Sequence, residues 1–193
     1  MPSPIFDLYR DLNAALTALQ ARWYVFGAQA AILYGSSRLT ADADATVMIG
    51  LDALDELLDR LSKNGFKIRT PEFRDVIERN RVVLLRHESS GMPLDLILGG
   101  KGLEEEFCSR IVMHDMGGEQ IPVISPEDLV AVKILAGRPK DMDDARVVLA
   151  ANRGRLNMDL VATTLRRLEQ VLDRSDLVAE LERIASRSAG WET

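Results

Sequence analysis

Cysteine is nearly missing from this sequence of 193 residues: Cys108 stands alone. An internal disulfide is therefore excluded, and a reducing, cytoplasmic setting is expected. Histidine is almost as scarce. His87 and His114 lack metal-ligand spacing with each other or with Cys108, so no zinc site is expected. Aromatic residues make up 5% of the chain, and its two tryptophans, Trp23 and Trp191, are too far apart in sequence to argue for a stacking platform. No apolar run approaches the roughly 18 residues that would cross a bilayer. The segment MPSPIFDLYRDL has no basic stretch followed by an apolar one, so no secretory signal and no membrane partner are expected. A basic excess is missing as well. The formal net charge is -6, which argues against a nucleic-acid coat over the whole surface. Two motifs are also missing: the G-x-x-x-x-G-K-[ST] phosphate loop and the G-x-S-x-G nucleophile elbow.

What remains is ordinary globular composition, 47% hydrophobic and 28% charged. The charge is uneven. Residues 1–137 carry 14 Lys/Arg against 20 Asp/Glu, whereas residues 138–193 carry 10 of each. Leucines and isoleucine at helical spacing predict an amphipathic helix over 5–20. WYVFGA reads as a short buried strand, followed by a helix over 28–35 that Gly35 stops. Residues 42–49 read as a strand, and LDALDELLDRLSKNG as a helix. RVVLLRHE and MPLDLIL read as strands, with a hairpin expected around Gly117-Gly118. Ser125-Pro126-Glu127-Asp128 is a helix start, and three more helices are expected after it. The expectation is an α/β (α+β) fold: a mixed-sheet core over 1–124 and a helical part over 125–193 packed on it as one unit.

Within the strand at 42–49, Asp42 and Asp44 are out of place. Asp is depleted in strands. Residues at i and i+2 share a face, about 7 Å apart, and two anions there repel unless a cation lies between them. Mg²⁺ prefers hard oxygen ligands and binds through a few carboxylates plus substrate phosphates. Asp95, an acid inside the apolar MPLDLIL, is the candidate third ligand. Gly27, at a strand-to-helix turn, permits close backbone approach to a phosphate. Against this stands a plainer reading, in which the Asp pair caps a turn after Thr40. For Lys133, in VAVKILAG, the plain reading is a lysine that snorkels to water.

The order YVFGAQAAILYG, RLTADADATV, MPLDLIL resembles the nucleotidyltransferase (polymerase β-like) superfamily. SPEDLVAVKILAGRPKDMDDARVVL further resembles the lysine helix and Arg-Pro-Lys-Asp-x-x-Asp of AbiEii-type toxin nucleotidyltransferases. The resemblance implies a nucleotidyltransferase-like mixed sheet flanked by helices. It also implies Mg²⁺-dependent transfer of a nucleoside monophosphate from an NTP to an acceptor hydroxyl. Asp42, Asp44 and Asp95 would hold the metal, with Asp95 as ligand or base. Gly27 and the backbone at Ala28 would contact phosphates, and Lys133 would face the triphosphate. Asp141 and Asp144 would orient Lys133 or the second helix, or serve only as helix-start acids. Arg38 is left with two readings, phosphate contact or pairing with Asp42. Ala28 stands where the superfamily has Gly or Ser, so a backbone N–H is retained but no hydroxyl. An RNA acceptor such as tRNA and an antitoxin partner follow from the AbiEii likeness. The alternatives are transfer to a protein or small molecule, and a non-catalytic nucleotide-binding or antitoxin-like module.

Overall fold

The structure is a computed structural model that describes residues 3–188; Trp191 lies outside the described residues. Two compact units emerge: Met1–Gln29 with Leu39–Ile124, and Ala30–Arg38 with Ser125–Thr193.

The first unit is built on a seven-stranded sheet. Its strands are β1 (Trp23–Phe26), β2 (Ala43–Val47), β3 (Phe66–Ile68), β4 (Val82–His87), β5 (Pro93–Leu98), β6 (Val112–Met116) and β7 (Glu119–Val123). Their order is β3-β4-β5-β2-β1-β7-β6. The sheet is mixed: β2 runs parallel to β5 and β1 to β7, while the other pairs are antiparallel. Alternation decides the faces. Ala43, Ala45 and Val47 of β2 and Leu94, Leu96 and Leu98 of β5 are all buried, at 1% exposure or less. Asp44 and Asp95 therefore point to the opposite face.

Helix α1 (Pro4–Thr17) buries Leu8, Tyr9, Leu12 and Leu16 and packs on β7 and on α3 (Leu54–Lys63). Residues 51–53, expected as the start of α3, form a separate 3₁₀ turn. Three elements went unforeseen: β3, α4 (Phe73–Asn80) and α5 (Leu103–Ser109). Each is too short or too polar to show a period. β3 has three residues, and α4 buries only Ile77.

Helix α2 (Gly27–Leu33) follows β1 without a linker and passes from the first unit into the second. The second unit is helical: α6 (Pro126–Ala136), α7 (Pro139–Ala151), α8 (Met158–Leu172) and α9 (Leu177–Ser188). Ser125 caps α6 by accepting from the Asp128 N–H, and Pro126 takes the first helical position. α6 packs against α7, α8 and α9. Among the described residues, no helix is long and apolar enough to cross a membrane.

Candidate active site

The parallel register of β2 and β5 places Asp44 directly beside Asp95. Asp44 also pairs with Phe26, the last residue of β1, and Asp95 pairs with Leu84 of β4. Neighbouring strands lie about 4.8 Å apart. Two negative charges held at that spacing would repel by about 1 to 3 kcal/mol, for effective dielectric constants between water and about 20; the Asp44 carboxylate lies toward Gly27 and the Asp95 carboxylate toward Arg69. The charge of Asp95 is met by the Arg69 guanidinium.

Gly27 completes the corner. Its φ of +70° is a left-handed conformation that L residues avoid, and it turns β1 directly into α2. A Cβ at Gly27 would lie 2.1 Å from Asp44 Oδ2 and 2.9 Å from Asp44 Cβ. The Gly27 backbone is thus pressed against the Asp44 side chain as only glycine allows. Ala28, next in α2, is 4% exposed. Gln29 Nε2 donates to the Asp42 carbonyl at 3.4 Å, tying the first turn of α2 to the strand entry.

Asp42 does not lie in the strand. β2 begins at Ala43, and Asp42 is exposed just before it. The Thr40 hydroxyl donates to the Asp42 carboxylate. The plainer reading has the Asp pair capping a turn after Thr40; of the two, Asp42 bonds to Thr40, while Asp44 lies within β2. Asp95 also has a partner: the Arg69 guanidinium donates to its Oδ1. Arg69 lies just beyond β3, and its N–H donates to the Leu84 carbonyl at 2.9 Å, extending the β3–β4 ladder by one residue.

The three acids therefore do not form the ready-made metal cage expected from their spacing. Among the described residues, no group of three His, Cys, Asp or Glu side chains is gathered to hold a metal ion. The reason is visible in the bonding, since Arg69 engages Asp95 and Thr40 engages Asp42. The donor chemistry still fits a hard divalent cation, because Asp44 and Asp95 offer carboxylate oxygens at one register across parallel strands.

Tyr9 of α1 is within electrostatic reach of Asp44 and Asp42. It is fully buried, and its hydroxyl has no hydrogen-bond partner. Burial first, then the charges of Asp44 and Asp42, push its pKa well above the usual tyrosine value. Its hydroxyl thus stays protonated beside the acids. Sequence reasoning did not single out Tyr9, which shares the buried face of α1 with Leu8, Leu12 and Leu16.

In the second unit, Lys133 is 4% exposed. Its Nζ donates to Asp141 Oδ1 at 3.0 Å and to Asp144 Oδ2 at 2.8 Å. The ammonium does not snorkel to water, and the two acids do meet it. Asp144 also accepts from Arg38 Nε at 3.0 Å and from Ser36 Oγ at 3.1 Å. Arg138 adds a further bond to Asp141. For the Asp141 carboxyl, burial opposes ionisation, but hydrogen bonds from Arg138 and Lys133 outweigh it and hold the pKa below the usual value. Arg38, read from the sequence as a phosphate contact or a partner of Asp42, thus has Asp144 as its partner.

Of the three residues with metal-ligand side chains set aside in the sequence, His114 lies in β6, and His87 and Cys108 are buried. His87 is buried between Ser90 Oγ, 2.8 Å from Nδ1, and Asp11 Oδ2, 3.0 Å from Nε2. Cys108 is a buried free thiol, its pKa raised by burial.

Solved structures share this architecture. The solution structure of the antibiotic-resistance factor ANT(2'')-Ia matches with a TM-score of 0.63 at 14% identity, covering 90% of this chain and 95% of that one. The crystal structure of ANT(2'')-Ia with adenylyl-2''-tobramycin gives a TM-score of 0.62 at 15% identity, over 86% and 99% of the two chains. The lincomycin-bound lincosamide antibiotic adenylyltransferase LnuA gives 0.51 at 16%, over 74% and 94%. At these identities the likeness is one of fold. No curated protein matches the sequence. A family model described as "Nucleotidyltransferase of unknown function (DUF6036)" matches residues 4–182, a span that takes in the Gly27 turn, the paired acids on β2 and β5 and the Lys133 helix. With nearly its whole length inside that match, this mixed sheet carrying aspartates at its centre belongs to the DUF6036 family of nucleotidyltransferases.

Proposed function

We propose that the chain transfers a nucleoside monophosphate from an NTP to an acceptor hydroxyl with Mg²⁺, releasing pyrophosphate, in the cytoplasm. The observation that carries this reading is the register of Asp44 against Asp95 at the Gly27 corner. Asp44 would hold the metal from β2, Asp42 from the segment just before that strand, and Asp95 from β5. The bound metal would supply charge to the triphosphate and favour an in-line displacement. Backbone N–H groups at Gly27 and Ala28 would meet the phosphates. Asp95 would accept the proton of the attacking hydroxyl. Lys133, bonded to two buried acids, would serve the second unit's own architecture together with Asp141, Asp144 and Arg38.

Two acceptor classes fit, each on its own observation. The net charge of -6 suits a cationic small molecule, and the solved neighbours with this fold include antibiotic adenylyltransferases. The Lys133 helix followed by Arg138-Pro139-Lys140-Asp141 supports an AbiEii-type toxin, with an RNA such as tRNA as acceptor and an antitoxin as partner.

Calorimetry with ATP, GTP, CTP and UTP, with and without Mg²⁺, tests the shared step. Mg²⁺-dependent binding that disappears in Asp44→Ala supports it, and no binding of any NTP to the wild type would overturn it. Transfer of label from an α-³²P-NTP to aminoglycosides or to total RNA then separates the acceptors.

A further inference from the structure

The triphosphate of an NTP carries several negative charges and enters a site built of aspartates. A protein cation has to meet it. Lys133 is a poor provider, because its ammonium is buried and already donates to two carboxylates. Arg38 is likewise engaged with Asp144.

Arg69 stands differently. Its backbone prolongs β3 beside Leu84, and Leu84 is registered with Asp95, which is registered with Asp44. The sheet thus lines up Arg69, Leu84, Asp95 and Asp44 in one row across four strands. Two strand spacings, about 9.6 Å, separate Arg69 from Asp95 along this row. The guanidinium crosses Leu84 to reach the carboxylate. Both ends of this ion pair remain open to solvent, with side chains 29% and 43% exposed. Such a pair is weak and exchangeable. An arginine fork also matches the spacing of phosphate oxygens better than it matches a carboxylate that a divalent ion is claiming.

We propose that Arg69 is the phosphate-facing cation of this site and that it exchanges partners: Asp95 in the free chain, the nucleotide phosphates once a metal ion occupies Asp95. The inference rests on the metal-assisted reading above. It gives Arg69 two opposite effects. Without nucleotide it competes with the metal for Asp95; with nucleotide it adds affinity.

The test measures Mn²⁺ binding by electron paramagnetic resonance, and then binding of a non-hydrolysable NTP analogue at saturating Mn²⁺ by calorimetry. The wild type, Arg69→Gln and Arg69→Lys are compared after circular dichroism has shown each to be folded. In Arg69→Gln, Mn²⁺ alone is expected to bind several-fold tighter and the analogue tenfold or more weaker. Arg69→Lys is expected to recover part of the analogue affinity but not the full fork-dependent gain. Weakening of both ligands would overturn the exchange, leaving Arg69 as a prop for Asp95. No change in either would make the contact an ordinary surface pair and also overturn it. Failure of the wild type to bind any Mn²⁺–NTP analogue is a separate outcome, which removes the enzymatic reading and the exchange with it.

Discussion

Replacing Gly27 with alanine probes the corner most directly, because two separate costs meet there and one can be subtracted. The first is conformational. At φ +70° an L residue pays about 1–2 kcal/mol relative to glycine, partly offset by about 0.4–1 kcal/mol of lost freedom in the unfolded chain. The second is contact. The new Cβ would lie 2.1 Å from Asp44 Oδ2, 2.8 Å from Cγ and 2.9 Å from Cβ. The carboxylate oxygen can rotate away, but the Asp44 Cβ is fixed to β2 and cannot. Strand or helix must shift, at an overpacking cost of about 1–3 kcal/mol. Gly65 supplies the control. Its φ is +80°, and a Cβ there meets nothing within 4 Å, so Gly65→Ala carries the conformational cost alone. Gly27→Ala should therefore lose about 1–3 kcal/mol more than Gly65→Ala in urea unfolding, read as a lower midpoint with an unchanged slope. It should also lose Mg²⁺–NTP binding in calorimetry, while Gly65→Ala keeps it. Equal stability losses in the two variants, or nucleotide affinity in Gly27→Ala within twofold of wild type, would refute the claim that the Gly27 backbone sets the position of Asp44.

Other perturbations follow from the same geometry. Lys133→Met leaves Asp141 and Asp144 with a buried cation removed, and should cost about 3–5 kcal/mol in denaturant unfolding; a loss below about 1 kcal/mol would mean that Arg38 and Arg138 suffice. The depressed pKa of Asp141 stabilises the fold above the unfolded carboxyl value near 3.9, and that stability is lost as pH falls through the still lower folded value. Asp141→Asn should accordingly flatten the acid limb of a pH–Tm profile, and an unchanged limb would count against the network. Tyr9→Phe removes a buried hydroxyl that has no hydrogen-bond partner. It should be neutral or stabilising, by up to about 1–3 kcal/mol in thermal unfolding, whereas clear destabilisation would show that the hydroxyl is bonded after all.

Much of this was legible in the sequence because it is local. Strand-forming residues marked β2 and β4, partial alternation marked β5, and acids interrupting β2 and β5 marked Asp44 and Asp95. Gly27 could be read as a strand-to-helix corner because a glycine there joins two differing periods. Ser125 and Pro126 announced α6, since a cap is satisfied within its own turn. The short or polar elements β3, α4 and α5 carried too few buried positions to show any period. Arg69 was invisible for the same reason, as it follows a strand of three residues.

What only the tertiary structure decided is who stands beside whom. Strand periodicity says which residues share a face, not which strand is next door or at what register. The parallel pairing that sets Asp44 beside Asp95 joins segments on either side of two helices and two other strands. Arg69 meets Asp95 across 26 residues, and Arg38 meets Asp144 across 106. Nor could spacing reveal that Asp42 stops short of β2, or that Lys133 is held by two buried carboxylates rather than reaching solvent. The sequence by itself determined the kinds of side chain and the elements that carry them. Partnership is a long-range property, decided by packing and register, because a charge takes whichever counter-charge the folded chain brings within a few ångströms.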